Sequence, residues 1–241
     1  MLRIAPFPIP LQSVLESWPM LELPLFPLNT VLFPTAPLTL HIFEERYKEM
    51  VSRCIAEDIP FGVVLIREGQ EVGSPALPFE VGTTAQIVSV EKLLQGRMNL
   101  IAVGRERFRL LDTSHARPYL VGRVEFAPHV TGERLSMLDA AGSVRRLFTD
   151  YLGLVAKLMD AELNTKALPD DAPSLAYTVA ATLQVDNDVK QQWLNANSIQ
   201  AMLQSQADLL PKELARLKLL AQVERERKRD DDGQIGSFSK N

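Results

Sequence analysis

The chain has 241 residues, enough for one large or two modest domains, and 46% hydrophobic with 23% charged residues excludes wholesale disorder. A formal net charge of −4 argues against a general nucleic-acid binder, which carries a basic excess. A single cysteine excludes an internal disulfide, and no apolar run approaches the roughly 18 residues of a membrane span. A cytoplasmic protein is the expectation.

Residues 1–19, MLRIAPFPIPLQSVLESWP, have an apolar bias, but Pro6, Pro8 and Pro10 interrupt any helical leader and no small-residue cleavage site follows. They read as a non-core extension, disordered or loosely packed in preference to a functional arm. Met20 is an alternative start of translation. Pro24, Pro27, Pro34 and Pro37 cannot donate backbone hydrogen bonds, so the stretch they punctuate is expected as short edge strands and turns. Residues 38–42, LTLHI, alternate as a half-buried strand does. From Phe43 the period becomes helical, with Phe43, Tyr47, Met50, Val51, Cys54 and Ile55 on one stripe.

Strands are expected at 23–28, 38–43, 61–66, 81–94, 98–111 and 119–126, each bounded by Gly, Pro or polar turns. The clearest hairpin joins 81–94 to 98–111 through QGR, where Gly96 can supply positive φ. Six short strands with one early helix suit a small closed or nearly closed barrel. Residues 67–80 form a polar Gly/Pro-rich loop. From about residue 132 the spacing predicts a long helix through Met159, a helix over 173–185 capped by Asp171 or Ser174, a short helix around 189–194 and a last helix from Ser198. Pro211 is expected to kink that last helix or to begin a new one.

The segments LPLFPLNTVLFP, LTLHIFEERY, VGTTAQIVSVEKL, GRERFRLLD, YLVGRVE and PSLAYTVAATLQVDNDVKQQWL follow one another in a specific order across residues 20–223. Together they resemble the Lon N-terminal domain, the substrate-binding module of ATP-dependent Lon proteases, which also occurs as a stand-alone protein. The resemblance implies an α+β fold: a PUA-like six-stranded β pseudo-barrel with one inserted helix at 20–127, then an α-helical bundle at 128–226. A disordered tail is expected at 227–241.

The chemistry expected is that of binding. None of the 12 glycines is followed by lysine, so the phosphate-cradling P-loop of an ATPase is absent. The proteolytic Ser-Lys pair of Lon belongs to a C-terminal domain for which the length leaves no room. His41, His115 and His129 have no metal-ligand spacing with Cys54, so neither a metal nor a cofactor is expected. His41 is expected on the solvent face of its strand and Cys54 as a buried inert thiol. Glu44/Glu45 and Asp170/Asp171 read as complements to helix dipoles. Arg105, Arg107 and Arg109 alternate on one strand, with Phe108 pointing the other way. They are expected as a solvated face paired with glutamates, with an anion or RNA contact as the alternative.

The resemblance implies a non-catalytic module that binds peptides or proteins, recognising unfolded or exposed apolar segments. Phe33, Phe43 and Tyr47, beside the proline-rich segment, are the contact candidates. An adaptor that docks onto a separate protease or chaperone is a further alternative.

Overall fold

The computed structural model describes residues 21–71, 76–159, 161 and 168–235, with side chains as far as residue 223. The extension at 1–19 and residues 236–241 lie outside the described residues. Two compact units divide between Pro128 and His129.

The first unit contains β1 (Leu21–Leu28), β2 (Pro37–Ile42), α1 (Glu45–Glu57), β3 (Phe61–Glu68), β4 (Leu77–Lys92), β5 (Met98–Ser114) and β6 (Val121–Phe126). The six strands run β2-β5-β4-β3-β1-β6, and an added β5–β6 pairing closes the sheet on itself. The length of β5 makes closure possible. One of its edges pairs with β4; the other pairs with β2 over 98–103 and with β6 over 108–114. Register shifts in the β3–β4, β4–β5 and β5–β6 ladders supply the bends that a small barrel needs.

The prolines of β1 are accommodated by division of labour. Residues 21–24 pair with β6, and residues 25–28 pair in parallel with β3. Each half therefore uses one edge, and Pro24 and Pro27 each meet a single partner strand. The sequence suggested an edge strand; the structure places β1 inside the sheet order but edge-like at every residue.

Leu23, Leu25, Val64, Phe108 and Val124 form one apolar core, converging from β1, β3, β5 and β6. Gly82 leaves room for the Phe108 ring, since a Cβ there would come within 2.7 Å of it. A second core joins the sheet to α1 through Met50, Val51 and Cys54 packed with Phe26, Phe61, Leu100 and Ala102. Asp58 ends α1 in the left-handed region, at φ 50°. The α1 stripe is narrower than its spacing predicts: Phe43 precedes the first helical turn, and it and Ile55 are exposed.

The second unit comprises α2 (Arg134–Met159), α3 (Ala172–Thr182), α4 (Asn187–Asn195) and α5 (Ile199–Ile235). Val144, Phe148, Leu175, Val179, Trp193, Met202, Leu203 and Leu210 are buried. Two expectations bear on α5. The helix α5 continues through Pro211, because Leu210 and Leu214 on either side are buried and tertiary packing outweighs the lost Ala207 acceptor bond. It also runs on to Ile235, past the residue where a tail was expected, through the helix-favouring run ERERKR.

Candidate functional site

Among the described strands, β2 pairs only with β5. In an antiparallel ladder alternate residues turn their N–H and C=O groups away from the partner, so β2 presents an unpaired edge. Its position is fixed by the loop before it. Thr35 donates to the Gly104 carbonyl at 2.8 Å, and Gly104 donates to the Ala36 carbonyl at 2.9 Å. Only glycine fits at 104, because a Cβ would lie 2.2 Å from the Phe33 carbonyl oxygen.

A pocket of about 140 Å³ touches Thr39, Leu40, His41 and Ile42. Consecutive strand residues point to opposite faces, so a cavity that meets four in a row runs along the edge of the strand. Phe26 and Leu28 of β1, Phe43 and Glu44 after β2, Tyr47 of α1 and Glu71 beyond β3 complete the wall. The site therefore combines an open backbone edge with an apolar, acid-rimmed recess.

Tyr47 organises the recess. Its ring stacks on Phe26 with centroids 4.0 Å apart and lies 4.6 Å from the Arg46 guanidinium carbon. Arg46 is held by Glu44 at 2.9 Å and reaches the Glu71 carbonyl at 3.5 Å. Burial raises the pKa of the Tyr47 hydroxyl; Arg46 opposes this, while Glu44 and Glu71 reinforce it. The hydroxyl stays protonated at neutral pH. At the rim, Asn99 donates to Glu91 at 2.9 Å, leaving its amide oxygen to accept from His41 Nδ1 at 2.7 Å. The His41 and Phe43 rings stack 6.0 Å apart.

The contact candidates separate sharply. Phe33 is 0% exposed and packs in the β1–β2 loop, with no surface to offer a ligand. Phe43 is 49% exposed, Tyr47 is 5% exposed, and both line the pocket. The three arginines do not form one open face. Arg105 and Arg109 are exposed, whereas Arg107 is 8% exposed and its guanidinium donates to the Ala127 carbonyl. A β-bulge sets Arg105 and Glu106 opposite Thr84, whose hydroxyl accepts from the Glu106 amide at 3.0 Å, and strict alternation is lost. Arg109 sits across from Glu125.

The remaining titratable groups have structural surroundings. Cys54 is buried, and burial pushes its thiol up to about 11. His129 contacts the Tyr177 hydroxyl at 3.0 Å. Asp171 accepts from the Ser174 amide at 2.8 Å as the cap of α3, and that bond holds its carboxyl below the usual range. Among the described residues no group of three His, Cys, Asp or Glu could hold a metal ion. No described helix is long and apolar enough to cross a membrane. Sequence reasoning missed Phe26, Leu28 and Glu71 as partners of β2; the alternation at 26 and 28 was visible, but the folding of β1 and the β3 end onto β2 was not.

Comparison with known proteins agrees with this architecture. The chain is 26% identical over 205 residues to Lon protease 2 of Myxococcus xanthus; the match covers 84% of this chain and 25% of that protein. The chain thus spans about a quarter of the length of the curated relatives it matches. Its structure is similar to the Lon N-terminal domain protein from Xanthomonas campestris, with TM-score 0.54, 25% identity, and coverage of 77% of this chain and 96% of that one. It is also similar in fold to the N-terminal domain of the Mycobacterium avium complex Lon protease, with TM-score 0.61, 15% identity, and coverage of 79% and 98%. The profile of the ATP-dependent protease La (LON) substrate-binding domain matches residues 22–212, and the chain belongs to that family.

Proposed function

We propose that the barrel unit captures extended segments of other proteins along the free edge of β2, without chemistry of its own. The observation that carries this reading is the pocket running beside four consecutive residues of β2, a strand with one edge unpaired among the described strands. An added peptide strand gains main-chain hydrogen bonds from β2, and one of its side chains enters the recess between Phe26, Ile42 and Phe43. The clients are unfolded or exposed apolar segments of proteins in the cytoplasm, released afterwards or passed to a separate protease or chaperone. The arginine strand supports RNA or anion binding less well, because Arg107 is buried and Arg109 faces Glu125.

The test is titration of a permanently unfolded, fluorescently labelled model protein with the full chain and with Phe43→Ala. Phe43 is half exposed, so truncating it should weaken binding about tenfold with a melting temperature within about 2 °C of the parent. Unchanged affinity, or a loss that tracks a fall in melting temperature, would overturn the assignment.

A further inference from the structure

This inference rests on capture at β2 and specifies what is captured. We propose that the recess beside β2 takes a cationic side chain, so that the site selects extended segments carrying a lysine or arginine among apolar residues.

The first observation is Tyr47. Its side chain is more than nine-tenths buried and lines the pocket, and among the described residues its hydroxyl makes no hydrogen bond. The hydroxyl is not one of the buried, unpartnered polar atoms of the described residues, so it stays open to solvent and to a ligand. The second is charge. Glu44 and Glu71 both line the recess, and Arg46 pairs with the Glu44 carboxylate while reaching only the backbone carbonyl of Glu71. Two carboxylates against one guanidinium leave one negative charge. Glu44 uses Oε2 for Arg46, and Glu71 uses Oε2 for the Asn29 amide, so among the described residues Oε1 of each accepts nothing. A Lys ammonium has three donors and no acceptor, which matches two carboxylate oxygens and a phenol oxygen.

The third observation is size. At about 140 Å³ the recess is well below the roughly 300 Å³ at which small-molecule sites begin, and it suits a single side chain. Phe26, Leu28 and Ile42 line the route along which the methylene stem of Lys or Arg would lie. An Asp or Glu would meet unmatched negative charge and leave the Tyr47 hydroxyl facing two carboxylates. His41 stands at the rim, and its ring nitrogen is engaged by Asn99.

The experiment compares three labelled peptides of one extended apolar sequence, with Lys, norleucine or Glu at the central position, binding to the full chain at low salt. The Lys peptide should bind about tenfold more tightly than the Glu peptide, with norleucine between, and added salt should narrow the gap. Glu71→Gln and Tyr47→Phe should each shrink the Lys-to-norleucine ratio. The readout is a ratio within one protein, so a loss of folded fraction cannot imitate it. Equal affinity for all three peptides would overturn the cation preference while leaving segment capture standing. Binding of none of them would overturn both.

Discussion

Replacing Gly104 by alanine attacks the joint that holds β2 in place, and its cost can be worked from the geometry. The new Cβ would lie 2.2 Å from the Phe33 carbonyl oxygen and 3.2 Å from Leu32 Cγ. An ordinary carbon–oxygen contact requires the Phe33 carbonyl to retreat by about 1 Å, and a backbone atom cannot turn aside as a side chain can. Retreat breaks the two hydrogen bonds that tie Thr35 and Ala36 to Gly104, at about 1 kcal/mol each. Overpacking adds roughly 1–3 kcal/mol. The sum, about 3–5 kcal/mol, is a large part of the roughly 5–15 kcal/mol that keeps a domain folded. Gly142→Ala is the matched control: a Cβ there meets nothing within 4 Å on the exposed face of α2, and it should stabilise by about 0.5–1 kcal/mol. Urea unfolding followed by circular dichroism measures both. A Gly104→Ala midpoint within error of the parent would refute the account of how β2 is anchored.

Phe108→Ala, which empties the centre of the barrel core, should cost about 3–5 kcal/mol by the same assay. Asp171→Ala should cost about 1 kcal/mol at neutral pH. Because the folded carboxyl has a lowered pKa, the contribution of Asp171 is complete above its unfolded value and fades as pH falls through the folded one; parent and variant should converge once the pH is below the folded value. Cys54, buried and with its thiol pushed up to about 11, should react with iodoacetamide at pH 8 more than a hundredfold more slowly in the native protein than in urea. Comparable rates in the two states would place the thiol at the surface.

Local pattern made the elements legible. Alternation marked all six strands to within a few residues, and Gly96, with φ 69°, makes the hairpin turn that the QGR sequence suggested. Long-range pairing was not legible, because nothing in β5 itself states that one edge serves both β2 and β6. The same limit applies to the site. Phe33 and Phe43 flank the same strand in sequence, but the close approach of the Phe33 backbone to Gly104 buries one while the start of α1 at Glu45 leaves the other outside. A bulge at 105–106, which alternation cannot foresee, separates Arg105 from Arg107, and the bond to the Ala127 carbonyl that accompanies the burial of Arg107 is a tertiary contact. Pro211 lies inside α5 between the buried Leu210 and Leu214, so of a kink or a new helix the new helix is excluded.

The central claim, strand addition at β2, is tested most directly by backbone methylation of a bound peptide. An added strand turns alternate amides toward β2 and the others toward solvent. Methylating one alternate set should abolish binding to the full chain, and methylating the other set should leave affinity within about threefold. Equal tolerance of both sets would contradict strand addition and leave the edge of β2 without the role assigned to it.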